Sequence, residues 1–555
     1  MESKLLFSSK ILLVVALPVI AGCARTTTVT GKLLDVNGKP SEYAMVGIAS
    51  SIWDKGDNFV PCRGDGLYSI SLEKQRIEYL IYSIPNHEPL RIPVLNDQYK
   101  ELAIDVTLAA YNYPDHFDEV SVKIGGSYLS PKEKMTKLED GTYACEKKTD
   151  KDHVLYQLDV HEGGRFVNGP EAQSFVPDSL GGYWSVIEPQ GGKTTIVFDP
   201  ETLLRRDDSE KIAFYGSDFD KKFSTILREH DNIMRDNGLK LGAYYLKQGK
   251  FEGFVYDEGN YFRDFVKSIE TEKDTRLSNL MKLIYLTSLR GTFKTLDMAK
   301  AKEFFNAVPP EDSAWCYFPT AFYSVDRLYP LQNPQWAIYD EFQQKTHWAF
   351  HDEFLKKTKS PEIKITVLGR RLIIAKNSNN VEEFKRLHAL ISSDYKDVKE
   401  LQDLLRKYPI ESKLNVGGEI PDYEVVSIDN PSEKYSKRSM LGKVYLIDFW
   451  FTTCAPCIEE AGNLHKAYEK YKDKGFDILS LSVDSEELVK LFRERKWKMP
   501  WKNSVIVGNK QILKDFEVSS YPTPILVSAE GKVLVKDAKE LRGERLDETL
   551  LRFLQ

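Results

Sequence analysis

The alternation of apolar and polar residues changes its period along the 555 residues of this chain. Between residues 27 and 200, apolar residues recur at every second position in short runs that end in turn residues, which is typical of β-strands. Between residues 209 and 410 they recur every three to four residues, which indicates amphipathic helices. From 414 to 555, strand and helix patterns alternate. We therefore predict a multidomain protein with N-terminal β-sandwich domains, a central α-helical region and a C-terminal α/β domain.

The β-rich region divides into two segments, of which residues 27–110 are the first. The run Asn37-Gly38-Lys39-Pro40 is a strong turn between two alternating segments, and Gly64-Asp65-Gly66 precedes a third. This order of turns and strands resembles the carboxypeptidase regulatory-like β-sandwich, which implies a spacer module. No residues for site chemistry stand out in it.

The second β segment, residues 117–200, alternates with period two in runs such as Val120–Ile124 and Tyr183–Ile187. The series is similar to early-set immunoglobulin-like domains, including those related to glycogen-binding modules. A sugar site would need exposed aromatic platforms, and we expect Trp184 to belong to the core. An interaction module or spacer is therefore the expectation, with carbohydrate binding as the alternative.

The helical region, residues 209–410, has its clearest pattern near its end. Three periodic segments, Ile363–Ala375, Val381–Ser392 and Lys396–Tyr408, are separated by short polar links. They resemble stacked tetratricopeptide-like hairpins, although no repeat consensus is sustained. Such an array either binds peptides on its concave side or acts as a rigid spacer, and the sequence leaves both open.

The C-terminal segment, residues 414–555, contains an apolar strand that ends in two closely spaced cysteines. The strand, Val444–Phe451, is rich in β-branched and aromatic residues, and Cys454-Ala455-Pro456-Cys457 follows just before a helical pattern. A thiol at the start of a helix lies at the positive end of the helix dipole, which favours the thiolate. The spacing also allows the two sulfurs to close a small ring. We therefore predict a dithiol that cycles between reduced and disulfide forms.

The order of elements in this segment, a β-α-β unit followed by a hairpin and a helix, indicates a thioredoxin-like arrangement. With Asp448, Cys454, Cys457, Glu460 and Pro522, it resembles the TlpA/ResA-type thioredoxin-like proteins. The resemblance covers only this last domain. It implies a thiol-disulfide oxidoreductase that acts on protein disulfides.

The resemblance also implies roles for the cysteines and the two acids. Cys454, nearest the helix start, is expected to be the exposed nucleophile, with a lowered pKa. Cys457 is expected to be less accessible and to resolve the mixed disulfide. Because burial raises the pKa of Cys457, it needs a base, and either Asp448 or Glu460 can exchange its proton. An acid inside an apolar strand is hard to explain structurally, whereas Glu460 could also be a solvated helical acid.

The same resemblance implies a cis Tyr521-Pro522 bond that faces the dithiol. The sequence departs from the family pattern at two places beside the motif. Thr453 stands where a tryptophan usually precedes the first cysteine, and Ala461-Gly462 replaces the usual apolar-proline pair. We expect the first to alter the surface that a partner meets and the second to remove a helix kink.

Three other kinds of protein have a cysteine motif or a domain of this type. A zinc site would need two more cysteine or histidine ligands at matching spacing, and His465 stands alone, so we expect no metal or other cofactor. A peroxiredoxin would have Thr or Ser three residues before its reactive cysteine, where this chain has Phe451. The remaining alternative is a lipid-anchored binding or scaffold protein whose thioredoxin-like domain serves interaction rather than turnover.

The N-terminus indicates export. Lys4 and Lys10 flank the start of an apolar run, Ile11–Ile20, that is too short to span a bilayer, and Ala21-Gly22-Cys23 follows. The small residues before the cysteine resemble the bacterial lipobox. That resemblance implies a signal peptide over residues 1–22, a lipidated Cys23 and a tether outside the cytoplasm, with a plain signal peptide as the alternative. The absence of an acidic run after Cys23 favours an anchor that faces the periplasm.

Charge and cysteine content narrow the set of partners. The formal charge of −6 is small and no basic block occurs, so nucleic-acid binding has no electrostatic support. With Cys23 lipidated and the C-x-x-C paired, Cys62, Cys145 and Cys316 remain, so at least one is free or joins another molecule. The expected partners are envelope proteins with disulfides and the membrane itself. Because Ala455-Pro456 between the cysteines is closer to the linker of reductants, we also expect a membrane electron donor of the DsbD or CcdA type.

Overall fold

The computed structural model confirms the predicted fold class and divides the chain into two compact units. One comprises residues up to 239 together with 267–284, and the other comprises residues 240–266 and 285–555. The structure describes residues 26–554 except 53, 55, 73–75, 98–100, 112–116, 118, 127–131, 161–165, 170–171, 173, 179–181, 203–209, 249–252, 292, 329–340, 378–379, 411–413, 519, 537 and 539. The predicted signal peptide and Cys23 lie outside the described residues.

The N-terminal region is built from short strands. In chain order they are β1 Thr27–Leu34, β2 Met45–Ala49, β3 Asp57–Pro61, β4 Leu67–Leu72, β5 Ile77–Ser83, β6 Leu90–Leu95, β7 Glu101–Thr107, β8 Ser121–Ile124, β9 Lys132–Lys134, β10 Thr136–Lys137, β11 Tyr143–Lys148, β12 Val154–Asp159, β13 Phe166–Val167, β14 Ser174–Pro177, β15 Tyr183–Ile187, β16 Lys193–Phe198 and β17 Lys211–Tyr215.

These strands form two sandwiches, each with its own apolar core. In the first, the sheets β17-β7-β1-β4 and β3-β2-β5-β6 enclose side chains such as Val29, Val46 and Leu80. In the second, β10-β11-β16 faces β14-β15-β12-β8-β9 across a core that includes Tyr156 and Phe198. The alternation of buried and exposed residues along β4 and β7 shows why period two was visible in the sequence.

Strand β17 shows that the helical region begins later than the sequence predicts. We predict helix from residue 209, but Lys211–Tyr215 pairs with β7 at the edge of the first sheet, and the first helix begins only at Asp218. The helices are α1 Asp218–Gln248, α2 Tyr261–Thr271, α3 Thr275–Thr287, α4 Met298–Ala307, α5 Ala314–Tyr317, α6 Val325–Leu328, α7 Glu341–Lys357, α8 Pro361–Asn377, α9 Val381–Asp394 and α10 Lys399–Lys407. Helices α8 to α10 share one core through residues such as Leu372, Leu387 and Leu401.

The C-terminal domain is thioredoxin-like. Its strands are β18 Glu424–Val426, β19 Lys434–Ser436, β20 Val444–Trp450, β21 Phe476–Ser482, β22 Lys502–Val505, β23 Thr523–Val527 and β24 Val533–Val535, and its helices are α11 Ala455–Tyr471, α12 Glu486–Arg495, α13 Lys510–Asp515 and α14 Glu544–Phe553. The sheet order is β22-β21-β20-β23-β24, in which β20, β21 and β22 are parallel, β23 is antiparallel to β20, and β24 is antiparallel to β23. Strand β20 is therefore central and buried on both faces.

The two faces of β20 lead to separate cores. Tyr445, Ile447 and Phe449 belong to the core that includes α13 residues, whereas Leu446 and Trp450 belong to the core that contains residues of α11 and α14. The pleat of the strand places alternate side chains on opposite faces. Even-numbered positions of β20 therefore point to the side on which α11 lies.

Candidate active site

The two cysteines form a disulfide at the start of helix α11. Strand β20 ends at Trp450, Cys454 is the N-cap of α11, and the Cα atoms of Cys454 and Cys457 are 5.2 Å apart. The backbone N–H of Cys457 donates to Sγ of Cys454 at 3.2 Å. The turn before the helix is held by Asp484, whose Oδ2 accepts from the N–H of Thr452 at 2.6 Å. The sulfurs thus lie at the positive end of the helix dipole, which stabilises a thiolate when the bond is reduced.

The disulfide is more enclosed than the sequence indicates. Cys454 is only 3% exposed and Cys457 5%, so the expectation of an exposed Cys454 is wrong for the oxidised form. Phe451 and Tyr521 pack against the core that contains both sulfurs and form an edge-to-face pair with their centroids 5.3 Å apart. Thr453, in contrast, is exposed. The aromatic rings at this core are thus those of Phe451 and Tyr521, and position 453, where the family usually has tryptophan, contributes none.

Asp448 lies beneath the dithiol on β20. It shares its strand face with Leu446 and Trp450, and those two side chains belong to the core that contains both cysteines. The carboxyl is 5% exposed. Burial raises the pKa of Asp448 to about 7; the nearby Glu460 charge acts in the same direction, and Arg542 opposes it. A carboxyl with this pKa can accept or return a proton near neutral pH.

Glu460 is a buried acid on the same helix as the cysteines, one turn after Cys457, and not a solvated one. Its two carboxylate oxygens accept from the backbone N–H of Gly543 at 3.0 and 3.1 Å, and Oε2 accepts from Nδ2 of Asn463 at 3.3 Å. Burial raises the pKa of Glu460, while the bonds from Gly543 and Asn463 and the charge of Arg542 lower it. The two acids interact electrostatically, because the charge of Glu460 raises the pKa of Asp448.

The sequence analysis did not predict that Arg542 and Gly543, in the loop before α14, lie at this site. Nε of Arg542 lies 4.0 Å from Oε2 of Glu460, and Gly543 is the N-cap of α14. These residues are more than 80 positions beyond Glu460, and Gly543 lies 83 away. The available signal, an Arg-Gly pair before a helix, is common to many helix starts and does not indicate an active site.

Pro522 lies at the same end of the sheet as the dithiol. The Tyr521-Pro522 bond is cis, as the resemblance implies. The next residue, Thr523, pairs with Phe449 near the end of β20. Pro522 is buried. The structure therefore brings Asp448, Glu460 and Pro522 to the end of the sheet and helix where the disulfide lies.

The substitution at Ala461-Gly462 has a packing consequence. A Cβ atom at Gly462 would lie 3.3 Å from the ring of Trp497, so this ring lies against the bare backbone of the helix. Ala461 is part of the buried core, and α11 runs from Ala455 to Tyr471 through this point. The absence of proline thus accompanies a continuous helix with an aromatic ring seated on it.

The other cysteines that the structure describes form no disulfide with this site. Cys62, Cys145 and Cys316 are free thiols, and burial raises the pKa of both Cys62 and Cys145. In the part of the chain that the structure describes, no helix has both the length and the apolar content needed to cross a membrane.

Comparison with known proteins agrees with the geometry of the C-terminal domain. The model of the AhpC/TSA family matches residues 416–536. Thiol-disulfide oxidoreductase ResA of Bacillus thuringiensis subsp. konkukian is 28% identical over 145 residues, which cover 26% of this chain and 80% of that relative. ResA of Geobacillus kaustophilus is 30% identical over 125 residues, which cover 22% of this chain and 69% of that relative.

A solved structure is similar to the same part of the chain. The thioredoxin domain of a thiol-disulfide oxidoreductase from Bacteroides vulgatus is 32% identical, with a TM-score of 0.24, and covers 26% of this chain and all of that domain. The sequence relatives and the family match place the similarity on the domain that carries the disulfide. Through this C-terminal domain, the chain belongs to the ResA-like thiol-disulfide oxidoreductases of the AhpC/TSA family.

Proposed function

We propose that this protein is a thiol-disulfide oxidoreductase that reduces disulfides of envelope proteins with the Cys454–Cys457 dithiol. The observation that carries the proposal is a disulfide at a helix start with a buried acid, Asp448, on the strand face beneath it. The ResA relatives support the class of reaction.

The reaction divides into two exchanges. The thiolate of reduced Cys454 attacks one sulfur of the substrate disulfide, which forms a mixed disulfide and releases the other substrate sulfur as a thiolate that takes up a proton. The thiol of Cys457 then loses its proton to the acid pair, and its thiolate attacks Sγ of Cys454. This step breaks the mixed disulfide and releases the second substrate thiolate. The substrate gains two electrons, and the enzyme is left with the Cys454–Cys457 disulfide.

Asp448 is the better placed proton acceptor for the second exchange. Its carboxyl is buried on the face that leads to the cysteines, and its pKa of about 7 allows both protonation states near neutral pH. Glu460 is the second carboxyl of the pair. Its carboxylate accepts from the N–H of Gly543 and from the amide of Asn463, and Arg542 lies nearby.

The dithiol must be reduced again after each cycle. We propose a membrane electron donor of the DsbD or CcdA type as the source of electrons, because the Ala455-Pro456 linker is closer to that of reductants than of strong oxidants. The reduction potential of the Cys454/Cys457 couple against glutathione tests this direction. A potential near that of the most oxidising dithiols would reverse it.

We further propose that Cys23 is lipidated and holds the protein at the membrane with its domains facing the periplasm. The lipobox-like run before Cys23 supports this. A Cys23→Ser variant expressed in the bacterial host should leave the membrane fraction, while the unchanged protein stays in it. Equal partitioning of the two proteins would contradict the anchor.

The test of the reaction is the reduction of insulin with dithiothreitol as the electron source. We expect turnover by the full chain and a loss of at least about a hundredfold in the Cys454→Ser variant, because the nucleophile is removed. Cys316→Ser is the matched control, since Cys316 is a free thiol in a different domain. Equal and slow rates for all three proteins would favour the alternative, a binding or scaffold protein, to which the long region before residue 416 also points.

A further inference from the structure

The loop before helix α14 binds the carboxylate of Glu460 through a backbone N–H group. The N–H of Gly543 lies 3.0 and 3.1 Å from the two carboxylate oxygens, so it is shared between them. Gly543 has φ 59° and ψ −142°, a backbone conformation that residues with a side chain rarely adopt. The glycine therefore allows its N–H to point at the acid from the N-terminus of α14.

Arg542 adds a positive charge at the same place. Its Nε atom is 4.0 Å from Oε2 of Glu460, and its side chain is 30% exposed whereas that of Glu460 is 9% exposed. The charge of Arg542 also reaches Asp448, where it opposes both burial and the charge of Glu460. The positive charge of Arg542 lowers the pKa of Glu460, whereas the negative charge of its neighbour Glu459 raises it.

The acid pair needs such a cation for electrostatic reasons. Two carboxyl groups buried together cannot both ionise cheaply, because each charge is desolvated and repels the other. An acceptor for the proton of Cys457 must nevertheless be ionised before the second exchange. A guanidinium at the edge of the pair favours the state with one negative charge, and the Arg542 side chain, 30% exposed, is less desolvated there than the carboxyl of Glu460.

We propose that Arg542 is a positioning residue for the resolving step, which holds Glu460 against the start of α14 and keeps Asp448 ready to accept the proton of Cys457. This inference rests on the proposed function, because it assigns Arg542 a part in the same reaction. Arg542 does not touch the sulfurs; it acts through the two acids. If Arg542 had only a structural role, its replacement would change the stability of the protein but not the pH dependence of the reaction.

The experiment compares Arg542→Gln with Arg542→Lys and with the matched control Arg545→Gln, in the full chain. Arg545 is exposed on α14, three residues further along. For each protein, the rate of insulin reduction is measured from pH 5.5 to 9. We expect the acidic limb of the Arg542→Gln profile to move up by about one pH unit, so that its rate near pH 6 falls about tenfold and rejoins the parent rate near pH 9. Arg542→Lys should recover most of the loss, and Arg545→Gln should match the parent protein.

A second readout separates this inference from the proposed function. Carbon-13 NMR of the side-chain carboxyls in the oxidised protein, assigned with Asp448→Asn, follows the titration of Asp448 without any turnover. We expect this titration to move to higher pH in Arg542→Gln.

The outcomes separate the two claims. If the parent protein does not reduce insulin, the proposed function fails and the NMR titration alone decides the role of Arg542. If turnover is normal and neither the rate profile nor the titration moves, the inference about Arg542 is overturned. If Arg542→Gln does not fold, the same two measurements are made on Arg542→Lys. We then expect a smaller upward shift of the rate profile and of the Asp448 titration, and the absence of any shift would contradict the inference.

Discussion

Asp448 makes the folded oxidised protein less stable at neutral pH than it would be with a neutral residue. Its pKa of about 7 in the folded state compares with about 4 in an unfolded chain. The folded protein therefore binds this proton more tightly than the unfolded chain does. The stability that the protonated form provides is fully present below about pH 4 and is lost as the pH rises through 7.

The Asp448→Asn substitution tests this cost. At pH 8, we expect the oxidised variant to be more stable than the parent by about 2 to 4 kcal/mol, because the ionised carboxyl is no longer buried, and near pH 4 the gain should largely disappear. Urea unfolding at the two pH values measures it. Asp477→Asn is the contrasting control, since Asp477 is equally buried but paired with Lys502, and should lose stability at both values. An equal gain for Asp448→Asn at both values would contradict the assignment.

The aromatic pair beside the disulfide gives a second prediction for single residues. Because Phe451 packs against the core that holds both sulfurs, Phe451→Ala should open the disulfide to small reductants. We expect dithiothreitol to reduce it several-fold faster than in the parent. Leu551→Ala, a change at an exposed residue of α14, is the control. An unchanged rate in Phe451→Ala would show that the pair does not limit access.

In helix α11, packing of the Trp497 ring accompanies the glycine at position 462, where the family usually has proline. Gly462 lowers helix propensity, and the ring of Trp497 occupies the space above it. The glycine and the ring are thus coupled in their effect on stability. A Cβ atom at position 462 would have to displace the ring slightly.

A double-mutant cycle on this element measures the coupling. In the Trp497→Ala background, Gly462→Ala should stabilise the domain by about 0.5 to 1 kcal/mol, as expected for a helix interior. In the parent, the crowding against Trp497 should cancel most of that gain. Unfolding of the four proteins in guanidinium provides the values. Identical gains in both backgrounds would mean that the ring and the helix are independent.

At the scale of elements, long apolar or capped segments were predictable and short ones were not. Strand β20 begins at Val444 as predicted and ends at Trp450, one residue before the predicted Phe451, and the side chain of Ser485 caps α12. Strands β18, β19 and β22 have only three or four residues each, too few for a periodic signal, and their pairing partners are distant or follow irregular turns. The acids of the site were visible because they lie near the motif, whereas the contact of Glu460 with Gly543 depends on tertiary folding.

The whole molecule combines one redox-active domain with regions whose described cysteines are reduced thiols. Cys62 and Cys145 lie in the sandwiches and Cys316 in the helical region, and the disulfide is confined to residues 454–457. The β and helical regions thus have no described disulfide on which a reductant could act. The domain identities proposed for them from resemblance stay predictions.

Reduction should therefore affect only one part of the thermal unfolding of the full chain. We expect dithiothreitol to lower the transition of the C-terminal domain by the equivalent of about 2 kcal/mol, the value for a very short closed loop, and to leave the other transitions in place. Calorimetry with and without reductant measures this. The Cys454→Ser/Cys457→Ser variant should show no response, and a shift in the transition of a sandwich domain would contradict the assignment.

The proposed mechanism depends most on which of the two cysteines attacks the substrate disulfide first. Their exposures in the oxidised form, 3% and 5%, do not separate them, whereas the helix start favours Cys454 as the nucleophile. The most direct measurement traps the intermediate: reduced Cys457→Ser protein is mixed with oxidised insulin, and the adduct is mapped by peptide mass spectrometry. We predict a mixed disulfide through Cys454 that dithiothreitol releases. The reduced Cys454→Ser protein, which keeps Cys457, should form an adduct far more slowly, and the Cys454→Ser/Cys457→Ser variant should form none. An adduct that forms as fast through Cys457 as through Cys454, or no adduct at all, would contradict Cys454 as the nucleophile.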